Sequence, residues 1–526
     1  MQTYGVFVDG HEQAGDGWVY VPAVSALLQD PEGVWGLKAA LEAGQDVEAG
    51  EEMVGRVAVA SPDQVARVLR QARTAQSAWA RTPLEHRLDF IAAMHQAFKD
   101  HFAELVGLLV AEGHPVQVAR WEVNGMIETS APAALARLAT MMKSSSRSPD
   151  GRELHLVRKA DGVVCISPPA NAAMSNGAMG LWALAAGNAL VVGAPRSAPL
   201  SVVHLYQRVA APILDRFGAP PGLLGVTCGS TKGFIDTWTA SADVDDVFFF
   251  GSAEHGRQVL LGCIAAAKKP VLELSGNDGM IVWKDAEVEL AAEALAQCFY
   301  ASGQICMVPR YAVVHPDVAD RLVKLLTELA ETLTPALPED ETTVACPVLR
   351  GREFVEAVEQ VRAAGGTITT GGYLTGLSGG TDPHGLFAAP TVARLDGLAT
   401  AAGLPAVTEE TFFPLLCLLV PEPACDDTLL TEAIGFLNGN AYGLRNSVWA
   451  RDPAVLERAC TEIASGGLLK INDSHIGFVA GLPSHGGTGL TGGPYGEGAF
   501  PILQTSHLQG ISIATTVQPR ESILEH

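Results

Sequence analysis

Five short, continuous apolar runs between residues 163 and 274 constrain the fold of this chain more than any other feature. They are bounded by Gly, Pro or Ser, are separated by helical stretches, and lie at 163–166, 189–192, 223–227, 247–250 and 271–274. A strand with apolar residues on both faces is typical of a parallel sheet that is covered by crossover helices. The pattern therefore predicts an α/β fold.

The chain length and the flanking patterns indicate more than one domain. A chain of 526 residues exceeds what one compact core usually holds, so two or three domains are expected. Before the apolar runs, Ser61, Pro62 and Gln64 form a helix start with a capping box, and helices are expected to continue to about residue 142. A second series of strands and helices follows from about 280 to about 470.

Composition and charge argue against several classes of protein. Hydrophobic residues make up 48% of the chain and charged residues 18%, as in a well-packed globular protein. The net charge of −23 repels phosphates, so no nucleic-acid partner is expected, although an anionic cofactor can still bind local backbone N–H groups. The apolar stretches fall short of the roughly 18 residues of a membrane span, so no membrane partner is expected.

The nine cysteines indicate the compartment. Their number is odd, they are scattered, and none forms a CxxC pair, so neither a disulfide framework nor a metal site is expected. The N-terminus lacks a basic region followed by a long apolar run, which argues against a secretory signal. A cytoplasmic location is the simplest interpretation.

Two residues are candidates for the chemistry. Cys306 follows a helical stretch and a Gly-Gln break, which would place its sulfur in a loop at a cleft; Cys298, on the helix before it, is interpreted as a core residue. Glu273 interrupts an apolar run at the end of a predicted buried strand. A carboxylate there has either an ion-pair partner or a raised pKa, and a raised pKa suits a general base.

Two glycine-containing segments are candidates for a phosphate site. Phe250, Gly251 and Ser252 predict a strand, a tight turn and a helix whose first N–H groups could hold a phosphate, although an ordinary capped turn shows the same pattern. A formal GxGxxG motif at 487–492 has no strand before it and no amphipathic helix after it. We therefore reject it as a dinucleotide site.

Taken together and in this order, these segments resemble the aldehyde dehydrogenase superfamily, from about residue 55 to about residue 510. GQIC at 303–306 resembles the family's catalytic-cysteine motif, LELSG at 272–276 its general-base motif, and EETFFP at 409–414 its Glu-Glu-x-Phe-Gly-Pro segment. The resemblance implies a Rossmann-like NAD(P)-binding domain (1–142 and 163–272), an α/β catalytic domain (273–480) and a small oligomerisation element (143–162 and 500–526). It also implies a homodimer or homotetramer.

The resemblance further implies roles for individual residues. Cys306 is the nucleophile, Glu273 the general base, and Asn171 the oxyanion donor. Asn171 ends a PPAN segment where the family has Pro-Trp-Asn. An alignment counted back from Gly187 places the family's asparagine one residue away from Asn171. We choose Asn171 because only an amide N–H₂ there stabilises an oxyanion. The implied cofactor-binding residues are Ser167, Arg196, Gly251, Ser252, Glu410 and Phe412.

Two departures from the family pattern concern the cofactor. Gly193 replaces the lysine that binds the adenosine ribose, and we expect it to leave open space there. Arg196 replaces the Glu that holds the ribose hydroxyls in NAD-preferring members, and a guanidinium would attract a 2′-phosphate. NADP is therefore the expected cofactor and NAD the alternative; an exposed arginine without a ligand role is the competing interpretation.

The predicted function is oxidation of an aldehyde to a carboxylic acid through a Cys306 thiohemiacetal and thioester. One rival is an acylating or reductive member that converts a CoA thioester or activated acid to an aldehyde; Glu273 opposes it, because such members need no water-activating base. The other rival is a non-catalytic member, which the intact Cys306 and Glu273 oppose. The substrate pocket is expected to involve Met174, Ile305, Met307 and residues 475–485, and no charged anchor is evident among these residues. The expected substrate is therefore an apolar aliphatic or aromatic aldehyde.

Overall fold

The first of two seven-stranded sheets contains all five runs that the sequence predicts as buried strands. The computed structural model describes residues 1–148 and 151–514. The five strands are parallel, and two N-terminal strands extend the sheet in antiparallel fashion. In spatial order the strands are Lys269–Glu273, Asp246–Phe250, Val163–Ser167, Ala189–Pro195, Leu224–Gly229, Val6–Val8 and His11–Gln13. The predicted α/β fold class is confirmed.

The first half of the chain is rich in helices, of which Pro62–Ala80 packs directly on this sheet. The predicted capping box is present, because Ser61 Oγ accepts the Gln64 N–H at 3.1 Å and the Gln64 side chain accepts the Ser61 N–H at 3.0 Å. The helices are Val24–Gln29, Pro31–Glu42, Pro62–Ala80, Leu84–Asp100, Phe102–Ala111, Val116–Thr129, Pro132–Met142, Ala170–Ala172, Ala173–Ala178, Gly180–Ala186, Leu200–His204, Leu205–Ala210, Ala211–Arg216, Thr231–Ala240 and Ala253–Ala265. A small separate sheet consists of Gln2–Tyr4, Met53–Val59 and Gly17–Pro22.

The second seven-stranded sheet is formed by residues 278–471. Its strands are parallel except for one antiparallel edge strand, and their order is Thr367–Thr370, Thr391–Asp396, Leu415–Val420, Pro309–Val314, Asp278–Val282, Arg445–Trp449 and Leu468–Ile471. The helices in this part are Val288–Ala296, Gln297–Gly303, Pro316–Thr332, Gly351–Ala363, Leu398–Ala401, Pro405–Thr408, Asp426–Asn438 and Pro453–Glu462. Only a short segment joins Glu273 in the first sheet to Asp278 in the second, so the end of the first sheet faces the second domain.

A three-stranded sheet lies apart from the two large ones. It pairs Ser506–Ile513 with Glu153–Ala160 and the latter with Lys143–Arg147, so the two segments predicted as the oligomerisation element lie side by side. The helix Pro501–Gln504 also falls within the segment predicted as this element, but its Ile502 is buried in the core of the first domain. Residues 515–526, also assigned to this element, lie outside the described residues.

Pairs of two-residue strands lie within the remaining loops. They join Leu374–Thr375 to Phe387–Ala388, Tyr442–Gly443 to Thr488–Gly489, and His485–Gly486 to Gly498–Ala499. The rejected glycine motif at 487–492 contains the strand Thr488–Gly489 of one such pair and is followed by turns rather than by a long helix. In the described part of the chain, no helix is long and apolar enough to cross a membrane.

Candidate active site

Two cavities meet at Cys306, between the two large sheets. The polar cavity is lined by Pro169, Asn171, Asn176, Phe250, Gly251, Ser252, Glu273, Leu274, Ser275, Cys306, Arg350, Glu410, Phe412, Leu444 and His485. The apolar cavity extends from Cys306 on the side opposite the polar cavity and is lined largely by aromatic, aliphatic and Met side chains. Four residues line both cavities and mark the junction: Asn171, Asn176, Cys306 and His485.

A left-handed turn brings Cys306 to this junction. After the helix Val288–Ala296, the backbone at Ala301, Ser302 and Gly303 has φ of 49°, 50° and 70°. A Cβ on Gly303 would lie 2.5 Å from the Phe413 carbonyl oxygen, so only glycine fits there. The predicted loop therefore has a defined shape, whereas Cys298 is fully buried in the hydrophobic core.

The environment of Cys306 opposes ionisation of its thiol. Burial raises the pKa of Cys306 to about 12, and the negative charges of Glu410, Asp278 and Glu273 act in the same direction. Arg445 is the positive group that lowers this pKa. At neutral pH the thiol form of Cys306 is therefore strongly favoured.

Glu273 is suited to accept a proton near neutral pH. The last residue of the strand Lys269–Glu273, it is only 6% exposed. Its Oε2 accepts the Gly486 N–H at 2.7 Å, its Oε1 accepts the Gln504 amide at 3.4 Å, and no basic side chain of the described residues forms an ion pair with it. Burial raises the pKa of Glu273 to about 7. Of the two alternatives for this carboxylate, the structure thus shows the raised pKa.

Asn171 is held in place by the segment that carries Cys306. Its Nδ2 donates to the Gln304 carbonyl oxygen at 3.0 Å, two residues before Cys306. The Asn171 carbonyl oxygen lies 2.9 Å from His114 Nε2, which anchors the backbone. An amide N–H₂ has two donors, so one remains for an oxygen atom at the junction.

Four of the predicted cofactor residues line the polar cavity. Ser252 caps the helix Ala253–Ala265, and its Oγ accepts the His255 N–H at 3.3 Å. Glu410 accepts the Gly276 N–H at 2.9 Å and faces the same space as Gly251 and Phe412. A capped helix N-terminus beside a carboxylate fits a dinucleotide, since the first binds phosphate and the second binds ribose hydroxyls.

The other two predicted cofactor residues lie outside this cavity. Ser167 is 1% exposed, and its Oγ has no hydrogen-bond partner among the described residues. Arg196 is exposed on the turn after the strand Ala189–Pro195. The expectation of open space at Gly193 is wrong: a Cβ there would lie 2.6 Å from the Phe234 ring and 2.9 Å from the Trp238 ring, because the stacked aromatic pair fills the space.

The apolar cavity agrees with the predicted substrate pocket only in part. Ile305, Met307 and part of the 475–485 loop line it, but Met174 does not, because that side chain is buried in the core of the first domain. A charged residue outside the predicted set also lines the cavity. Glu122 lines the cavity, is 2% exposed, and accepts the Ser175 N–H at 3.0 Å.

Several residues at the site were not predicted from the sequence. Asn176 and Arg350 line the cavities but stand in segments without a recognised motif, and His485 is expected only as part of the 475–485 loop. Burial lowers the pKa of His485 to about 3, so its imidazole is neutral at the junction. The position of His485 within a glycine-rich segment was the available signal, because such segments often approach a bound molecule closely.

Comparison with known proteins agrees with this geometry. The model of the aldehyde dehydrogenase family matches residues 46–502. The 3-succinoylsemialdehyde-pyridine dehydrogenase of a Pseudomonas species is 28% identical over 478 residues, which cover 88% of this chain and 94% of that protein. An E. coli NADP-dependent enzyme and an NAD-dependent aldehyde dehydrogenase of Sinorhizobium meliloti share the fold with TM-scores of 0.79; they are 21% and 22% identical, and the matches cover 98% of this chain and 98% and 95% of theirs. The chain belongs to the aldehyde dehydrogenase family.

Proposed function

We propose that this chain oxidises an aldehyde to a carboxylic acid through a covalent intermediate on Cys306. As a member of its family, it is an NAD(P)-dependent oxidoreductase that acts on aldehydes. The observation that carries the proposal is the meeting of Cys306, Asn171 and Glu273 in one cavity with the capped helix at Ser252.

The chemistry follows from the positions of these side chains. The Cys306 thiol releases its proton to solvent, and the thiolate attacks the carbonyl carbon of the aldehyde to form a thiohemiacetal. The free N–H of Asn171 binds the resulting oxyanion. The bound cofactor supplies the hydride acceptor, and loss of hydride from the carbon leaves a thioester on Cys306. Glu273 then takes a proton from water, which attacks the thioester and releases the acid.

The position of Glu273 argues against the acylating alternative. A buried carboxylate whose pKa is raised to about 7 lies in the same cavity as Cys306 and can activate water there. Transfer of the acyl group to a thiol such as CoA needs no such base. Hydrolysis of the thioester is therefore the better use of this arrangement.

A panel of aldehydes assayed with NADP and with NAD tests the proposal. We expect reduced cofactor and carboxylic acid to form in equal amounts, at a rate that added CoA does not change. The apolar cavity favours neutral aliphatic and aromatic aldehydes, and Glu122 disfavours aldehydes that carry a carboxylate. Strict dependence on CoA, or reduction of acyl-CoA only, would overturn the proposal.

We infer a preference for NADP from Arg196, which is exposed and forms no ion pair with another described residue. A charge-assisted hydrogen bond to a 2′-phosphate contributes about 1.5–3 kcal/mol, or roughly ten- to a hundredfold in affinity. Arg196→Glu should therefore reverse the ratio of kcat/KM for NADP and NAD, whereas Arg216→Glu, an equal charge change elsewhere on the domain, should not. A wild-type preference for NAD that Arg196→Glu leaves unchanged would show that Arg196 has no ligand role.

We also propose a homodimer or homotetramer, located in the cytoplasm. The three-stranded sheet exposes apolar side chains, including Leu156 at 51% and Leu508 at 56%, together with a free strand edge, and pairing between subunits would cover them. All nine cysteines are free, which agrees with a reducing compartment.

A further inference from the structure

Arg445 is a buried arginine near Cys306 that the mechanism above does not use. It is the first residue of the strand Arg445–Trp449 and follows Leu444, which lines the polar cavity together with Cys306. Its side chain is 1% exposed. A guanidinium that is removed from water costs free energy unless its charge and its N–H groups find partners.

The partners of the Arg445 side chain all lie in the 475–485 loop. Nη1 donates to the carbonyl oxygens of His475 at 3.0 Å and Gly477 at 3.5 Å, and Nη2 donates to that of Ser484 at 2.8 Å. Among the described residues, the Nε has no hydrogen-bond partner. No carboxylate of the described residues forms an ion pair with the guanidinium. The Asp278 carboxylate accepts the Arg445 backbone N–H at 3.1 Å, and its negative charge acts on the guanidinium. Arg445 therefore holds the loop without a side-chain ion pair.

The charge of Arg445 acts on the residues at the cavity junction. It lowers the pKa of the Cys306 thiol, against burial and against Glu410, Asp278 and Glu273. It also adds to the effect of burial in lowering the pKa of His485. The other charged groups around Cys306 are Arg350 and Glu122 in the cavity walls and Arg310, which donates to the Ile305 carbonyl oxygen at 2.9 Å.

We propose that Arg445 is a positioning residue of the active site, which fixes the 475–485 loop beside Cys306 and whose charge favours the Cys306 thiolate. The inference rests on the proposed function, because it assumes that Cys306 acts as a nucleophile. It goes beyond that function by assigning the electrostatic support of the thiolate to a residue that touches neither substrate nor cofactor.

Lys470 also contacts the 475–485 loop and provides a matched control for Arg445. Its Nζ donates to the carbonyl oxygens of Ser474 at 2.6 Å and Gly477 at 2.9 Å, so it also holds the loop. Unlike Arg445, it forms an ion pair, with Asp473 at 2.9 Å, and it is not among the groups that shift the pKa of Cys306. Loss of Lys470 should loosen the loop without changing the charge that Cys306 experiences.

The test measures the rate of Cys306 alkylation by iodoacetamide against pH, with the Cys306 peptide quantified by mass spectrometry to separate it from the other cysteines. Arg445→Met should raise the apparent pKa of the thiol by about one unit, which lowers the alkylation rate about tenfold at a given pH below that pKa. Arg445→Lys should restore most of the rate, and Lys470→Met should stay within about twofold of wild type. The assay uses neither aldehyde nor cofactor, so its result is independent of the proposed function.

Equal shifts in Arg445→Met and Lys470→Met, or no shift in either, would overturn the electrostatic role. If Arg445→Met does not fold, Arg445→Gln removes the charge and keeps an N–H₂ group that can donate to the loop carbonyls. Its alkylation rate should fall about as far as that expected for Arg445→Met. An unchanged rate in Arg445→Gln would also overturn the proposal.

Discussion

Replacement of Cys306 by alanine is expected to abolish aldehyde oxidation while cofactor binding persists. The covalent route disappears with the sulfur, and loss of a nucleophile costs several powers of ten in kcat. The capped helix at Ser252 and the Glu410 carboxylate do not depend on the sulfur, so titration with reduced cofactor should give a nearly unchanged Kd. Steady-state kinetics and this titration are measured on the same preparation.

Cys298→Ala is the control for this prediction. Cys298 lies on the preceding helical turn, is fully buried, and donates a hydrogen bond to the Leu415 carbonyl oxygen at 3.6 Å. Its replacement should lower stability but leave turnover nearly normal. Normal turnover in Cys306→Ala together with lost turnover in Cys298→Ala would show that the nucleophile is assigned wrongly.

Glu273→Gln is expected to stop the enzyme after hydride transfer. The amide accepts no proton from water, so the thioester on Cys306 accumulates. Rapid mixing should show a burst of about one reduced cofactor per active site, followed by turnover that is slower by two or more powers of ten, in line with the usual contribution of a general base. Hydroxylamine, which attacks a thioester without a base, should restore turnover.

The pH dependence of wild-type turnover follows from the same carboxylate. Burial raises the pKa of Glu273 to about 7, and the basic form increases as the pH rises through that value. The rate of thioester hydrolysis should therefore rise with pH around 7, and this rise should be absent in Glu273→Gln. Unchanged steady-state rates in the variant would remove Glu273 from the mechanism and favour the acylating alternative.

The strand pattern and the two candidate reactive residues were accessible from the sequence for a local reason. A buried strand in a parallel sheet needs apolar residues on both faces, so the runs between 163 and 274 predict their own structure. Glu273 is conspicuous because it interrupts such a run, and Cys306 because a glycine break precedes it. The resemblance of the ordered motifs then indicated the family, which the match over residues 46–502 confirms.

The expectations that were wrong concern how side chains fill the space around a residue, not which segments form strands. At Gly193 the missing side chain does not leave a gap, because Phe234 and Trp238 from a later helix fill it. Met174 has the character of a pocket residue but faces the core. Whether a small residue opens a cavity depends on which distant side chains pack beside it, and close packing fills most such gaps.

By itself, the sequence determined which segments are buried strands, that a Gly-Gln break separates Cys306 from the helix before it, and which motifs stand in the order of an aldehyde dehydrogenase. Only the tertiary structure showed that Asn171 is held by the Cys306 segment and that Arg445 binds a loop 30 to 39 residues further along the chain. It also showed that burial raises the pKa of Glu273, which forms no ion pair with another described residue. The reason is physical: periodicity reflects the burial of one element, whereas desolvation and charge at a site depend on every element that packs around it.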